Sequence, residues 1–277
     1  MSYIFTPEII NCLTSSLDQY KSEEILTKIY QWPIDKAIDK LSIFDPESTR
    51  LFKSYNLFQK TIVARTRVQE KLLDPNLSDE IKKKYILWII RDWGGIKTGN
   101  KENIFKHIRE KENNESFDCK SIASWSKYFA FKFPQKYAIY DARVIYSLNW
   151  LLLKADSEKY FPTPDGRNSL MNAMDYKMII LVKRKGISAV RKQIADDIKK
   201  REENPGAKSR AITNLNKALY IKKELAYLSY CHLLTCIASQ LFGDEDIHTL
   251  TKTEMILFAI ADKDIVEEVL EHQFSQS

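Results

Sequence analysis

Ser124-Trp125-Ser126-Lys127-Tyr128-Phe129-Ala130-Phe131, followed by Tyr137-Ala138-Ile139-Tyr140-Asp141-Ala142-Arg143-Val144, carries the clearest structural signal in the chain. Ile122, Trp125, Ser126 and Phe129 fall on one helical face, and Pro134 stops that helix because the residue before a proline avoids the helical region. Gln135 to Tyr140 is too short for an element of its own and delivers Asp141. From Asp141, Val144, Ile145, Leu148, Leu151 and Leu152 recur at helical spacing, so Asp141 stands where a side chain caps free backbone N–H groups. The expected geometry is helix, short loop, Asp, helix.

Outward from this centre the chain reads as helices joined by polar loops. Seven glycines in 277 residues are too few for a hairpin-rich sheet protein. Towards the N-terminus, Ser22-Glu23-Glu24 opens a helix that ends near Trp32-Pro33, and a second is expected over Pro46 to Phe58 or its later part, running on towards Leu73 if no loop intervenes. Ser78 caps a third, which stops at Trp93-Gly94-Gly95, and Lys101 to Lys111 forms the next. Phe161 to Asn168 reads as a loop. Beyond it, helices are expected at Ser169 to Lys183, Ile187 to Arg201, Ser209 to Phe242, Lys252 to Ala261 and Asp264 to His272. The fold class is all-α.

Composition narrows the function classes without choosing one. Net charge is +6, and basic residues concentrate from Lys183, Arg184 and Lys185 through Arg191 and Lys192 to Lys223, while the tail from Asp244 is acidic. A phosphate-facing side explains this asymmetry, and so do solvated helix faces. Cys12, Cys119, Cys231 and Cys236 form no CxxC pair and fit reduced thiols better than a metal site. No metal or cofactor is expected. The longest apolar runs, such as Ile145 to Leu153, are too short to span a bilayer, and no signal peptide is visible. A cytoplasmic protein without membrane contact is the expectation.

Ala138-Ile139-Tyr140-Asp141-Ala142-Arg143-Val144, with the helix before it, resembles the core of the helix-hairpin-helix DNA glycosylase superfamily, in its 8-oxoguanine and endonuclease III-like branches. The resemblance covers roughly Phe117 to Leu153. It implies an orthogonal multi-helix bundle with a glycosylase-like core over 78–185 and a C-terminal helical region over 186–277. The whole would be one helical unit of one lobe or two. It also implies an atypical glycosylase that cleaves the N-glycosidic bond of a damaged or modified base in duplex DNA, with the base extruded. Asp141 would then stabilise the positive charge that develops on the sugar.

Bifunctional members carry a nucleophilic Lys on the helix before the Asp. The matching position falls at or near Ala123, with Lys120 one turn before it and Lys127 one turn after. Asn114 to Cys119, where the superfamily's hairpin has a Gly-containing turn, has no Gly. Trp125 and Tyr140 are candidates for stacking or lining the base site, and Arg143, Arg167, Asn168, Lys183, Arg184, Lys185, Arg191 and Lys192 for contacts to DNA. Two other readings stay open: a catalytically silent nucleic-acid-binding relative and a helical protein-interaction adaptor. An N-cap without chemistry explains Asp141 taken alone, and core packing explains Trp125.

Overall fold

In a computed structural model, residues 4–50, 52–97, 100–114, 117–164, 169–204, 218–243 and 246–274 are described. Helix makes up 74% of the described residues, and no strand forms among them. The nearest approach to one is a parallel bridge between Tyr160 and Tyr220. The N-terminal part consists of α1 (Pro7–Asp18), α2 (Glu23–Ile29), α3 (Asp35–Phe44), the short α4 (Pro46–Thr49) and α5 (Leu57–Leu73). Helix α2 opens where expected, and Ser22 caps it by accepting from Ile25 N–H. The helix expected from Pro46 breaks at Asn56, whose side chain caps α5 in a reciprocal capping box with Gln59.

Helix α6 (Asp79–Leu87) starts at the Ser78 cap and runs into a π-helical turn, Trp88–Trp93. The wider turn is closed by Gly94 N–H donating to the Ile89 carbonyl (2.9 Å) and Ile96 N–H to the Ile90 carbonyl (3.0 Å). Gly95, at φ 70°, then reverses the chain. After α7 (Lys101–Asn114) come α8 (Ile122–Lys132) and α9 (Ala142–Lys154), the pair expected from sequence. The left-handed residue that leads into α8 is Ser121, at φ 54°.

Every residue of α9 from Val144 to Leu153 is buried, a helix enclosed on all sides instead of one with a single apolar face. Its polar residues are bonded: Ser147 donates to the Leu257 carbonyl, and the Asn149 amide exchanges two bonds with the Phe161 backbone.

The C-terminal part holds α10 (Ser169–Ala173), α11 (Lys177–Lys185), α12 (Ile187–Glu203), α13 (Lys223–Phe242), α14 (Thr249–Ile260) and α15 (Val266–Phe274). The expected helix over Ser169 to Lys183 is two, parted at Asp175–Tyr176, and the last two expected helices are one run joined by a π-turn at Ala261–Ile265. The start expected near Ser209 lies outside the described residues. Contrary to the reading of short apolar runs, α13 is long and apolar enough to cross a membrane by length and composition. Its apolar side is taken up by the protein core: Ala226, Tyr227, Tyr230, Leu233, Leu234 and Ile237 are all buried.

Candidate active-site cleft

Asp141 and Lys127 meet because α8 and α9 are joined by so short a connector. Asp141 caps α9, with Oδ1 accepting from Arg143 N–H at 2.9 Å. Its other oxygen, Oδ2, lies 3.5 Å from Lys127 Nζ, which also donates to the Ala123 carbonyl (2.9 Å), one turn back on α8. Lys127 is thus folded back over the turn that contains Ala123. Only 5% of its side chain is exposed, against 28% for Asp141.

The pair lies in a cleft of about 880 Å³, walled by Tyr30, Trp32, Trp93, Arg143, Glu254 and Phe258 and by the turn Gly94–Lys97. Trp32 stands edge-on to Phe258, ring centroids 5.5 Å apart, and tilted against Trp93 at 6.1 Å. Its indole N–H is held by the Trp93 carbonyl (3.1 Å). Arg143 lies over the Phe258 ring at 4.8 Å and pairs with Asp262 at 2.8 Å. Burial pushes the Tyr30 phenol above its ordinary range, so it stays protonated.

Gly94 makes room for the lysine. A Cβ there would sit 2.7 Å from Lys127 Cδ, 2.7 Å from the Ile89 carbonyl oxygen and 2.8 Å from that of Ile90. Two of these neighbours are backbone, so they cannot swing away.

A second buried pair backs the cleft. Arg65 of α5 and Glu254 of α14 are bonded at 2.7 and 3.3 Å, and Glu254 Oε2 also accepts Ile139 N–H at 2.8 Å. The Arg65 guanidinium lies 5.3 Å from both the Trp93 and Phe131 rings.

Of the residues singled out from sequence, Asp141, Lys127 and Arg143 come together in the cleft. Trp125 does not. It is 1% exposed, its indole donates to the Lys120 carbonyl, and its ring packs on Phe117, Phe129 and Tyr227. Tyr140 is equally closed off, its hydroxyl bonded to the Pro162 carbonyl. Both are core residues because their ring faces are already occupied by other rings. Lys120 is exposed and outside the cleft lining.

The basic stretch divides. Lys183 donates to the Leu153 carbonyl, and Arg184 bonds the Tyr160 hydroxyl and Asp156, so both tie down the end of α9 instead of facing a ligand. Lys185, Arg191 and Lys192 are exposed. Arg167 and Asn168 lie outside the described residues.

Sequence reasoning missed Trp32, Gly94's contact with Lys127, Phe258, and the Arg65–Glu254 pair. A signal for the pair existed. Arg65 sits on the stripe Phe58, Thr61, Val68 and Leu72, and Glu254 interrupts the apolar run of α14, so each is a charge where burial demands a partner. Trp32 and Phe258 are 226 residues apart, and nothing local announces that they touch. Among the described residues no cluster of His, Cys, Asp and Glu has the makings of a metal site. Compared with family models, curated proteins and solved structures, the chain matches none of them.

Proposed function

We propose that the cleft is the active site of a DNA glycosylase that acts on an extruded, damaged or modified base, with Lys127 as nucleophile and Asp141 as its carboxylate partner. The observation that carries this reading is the 3.5 Å approach of Lys127 Nζ to Asp141 Oδ2 on the floor of an aromatic cleft. A lysine pointing into solvent would be a solvated charge. One held by its own helix, a carboxylate and a glycine is placed for chemistry.

An ammonium cannot attack, so its proton has to leave first, and Asp141 Oδ2 is the acceptor in reach. The Nζ lone pair then forms a bond to C1′ of the deoxyribose as the bond from C1′ to the base nitrogen breaks. The base departs with that electron pair and takes up a proton. Asp141 supplies that proton, and as it ionises again its carboxylate faces the positive charge that peaks on the sugar and lowers its energy. Ring opening of the adduct gives an iminium, which water hydrolyses and borohydride reduces to a stable cross-link. Trp32 is a half-buried ring of the cleft on which a flat base can rest.

The test is single-turnover release of base from duplex oligonucleotides that carry damaged or modified bases, with borohydride added in a parallel series. Wild type should release a base from at least one substrate and form a trapped adduct. Lys127→Ala should lose the adduct, and Asp141→Asn should lose release. A broad panel with no release from wild type, or release unchanged in both variants, overturns the proposal.

A further inference from the structure

The connector that delivers Asp141 runs through the core, and buried side chains from three helices hold its peptide groups. Tyr227 and Tyr230 of α13 donate to the Ala138 and Ile139 carbonyls at 3.1 and 2.7 Å. Ser126 of α8 accepts Tyr140 N–H at 3.1 Å. Glu254 of α14 accepts Ile139 N–H at 2.8 Å, and it differs from the others in being charged.

Burying that charge requires Arg65, itself 1% exposed. A buried ion pair is a weak source of net stability, because the loss of hydration offsets the attraction, and an apolar pair of similar volume often serves packing as well. What an apolar pair cannot do is accept the Ile139 N–H two residues before Asp141. The partner of Glu254 also reaches the lysine side of the site. Arg65 packs on Trp93, which ends the π-turn that sets Gly94 against Lys127. One ion pair thus braces the backbone behind both members of the Lys127–Asp141 couple.

We propose that Glu254 is a positioning residue for Asp141, acting through the Ile139 peptide, and that Arg65 is the buried partner that lets the Glu254 side chain occupy this place. The inference rests on the reading of Lys127 and Asp141 as the reacting pair, but its geometry can be tested without it.

Two double variants separate positioning from packing. Arg65→Met/Glu254→Gln removes both charges and keeps an acceptor for Ile139 N–H, whereas Arg65→Met/Glu254→Met removes the acceptor as well. Crystal structures of both give the separation of Lys127 Nζ from Asp141 Oδ2. Single-turnover base release and duplex affinity give the functional side. The Gln variant should keep the wild-type separation to within about 0.5 Å and the rate to within a factor of about three. The Met variant should show a shift of roughly 1 Å and a rate loss on the order of 100-fold, with duplex affinity unchanged.

Equal separations in the two variants, or equal rates, overturn the proposal. Should the Met variant not fold, Arg65→Met/Glu254→Thr, whose side chain is too short to reach Ile139 N–H, replaces it under the same readouts, and a separation equal to that of the Gln variant again overturns the proposal. If wild type releases no base from any oligonucleotide, the glycosylase reading fails, and the measured separations still settle this one.

Discussion

Gly94 and Lys127 are fitted to each other: the space a Cβ would occupy at Gly94 is taken by Lys127 Cδ at 2.7 Å and by two carbonyl oxygens of the π-turn. The φ of Gly94 is −80°, which any residue tolerates, so the glycine is required by space and not by backbone conformation. The π-turn brings those carbonyls to this point. A lysine stem therefore lies against bare backbone, which fixes where its amine ends.

Gly94→Ala follows directly from this fit. Overpacking should destabilise the protein by about 1–3 kcal/mol in urea unfolding. Base release should fall further than the drop in stability explains, since the added methyl pushes Lys127 away from Asp141. Full activity in a destabilised Gly94→Ala protein would show that the lysine's position is not critical.

The two tryptophans assigned to different environments should respond differently. Trp125→Ala empties a fully packed site and should cost about 3–5 kcal/mol of stability. Trp32→Ala removes a half-buried cleft ring and should act mainly on duplexes with an extruded base, weakening their binding by about 1–3 kcal/mol at most by loss of stacking. Thermal unfolding and fluorescence anisotropy together distinguish the two. Weakened binding from Trp125→Phe, with wild-type stability, would reverse the assignment.

The exposed part of the basic stretch gives a salt-dependence prediction. Replacing Lys185, Arg191 and Lys192 with Ala should reduce the slope of log affinity against log salt by about 0.9 for each phosphate that is no longer neutralised. Lys183→Ala and Arg184→Ala should instead lower the melting temperature, because these side chains are bonded to Leu153 and Asp156 at the end of α9. An unchanged slope in the triple variant would remove this stretch from the DNA-binding surface.

His248 predicts the direction of acid destabilisation. It is held near Thr66 at 3.1 Å, and burial lowers its pKa from the ordinary 6.5, with Arg65 and Lys252 adding to the effect and Asp246 opposing it. A lowered folded-state pKa means that the unfolded chain binds the proton more readily. The contribution of His248 is therefore complete above about pH 6.5 and is lost as the pH falls below that value towards the lowered pKa. His248→Gln should flatten the stability profile in that window while leaving higher pH nearly unaffected. Urea midpoints from pH 8 to 5 measure it, and parallel profiles for wild type and variant would refute it.

Much of this molecule was legible one residue at a time. The opening of α2 at Ser22, the Ser78 cap, the stop at Trp93-Gly94-Gly95, the end of α8 before Pro134 and the Asp141 cap all depend on local chemistry, and each is found in its expected place. The place of the break before Leu57 was left open, although the capping box of Asn56 with Gln59 was there to read. The two π-turns were not legible, since they arise where packing wins over the regular α-helical ladder.

By itself the sequence determined that helices form, where most of them begin and end, and that Asp141 stands at a helix start behind a short connector. Tertiary structure decided which lysine faces it. Lys120 and Lys127 both neighbour Ala123 by one turn, and only packing turns Lys127 inward, where Gly94 leaves room for it, and leaves Lys120 exposed. It likewise decided that Trp125 is core while Trp32 walls the cleft, because the rings that occupy one and leave the other open come from distant helices. Local propensity acts over one or two turns, whereas the burial of a ring or a charge depends on partners anywhere in the chain. For that reason the Lys127–Asp141 pair was half visible in the sequence, and the Arg65–Glu254 pair behind it only in the folded protein.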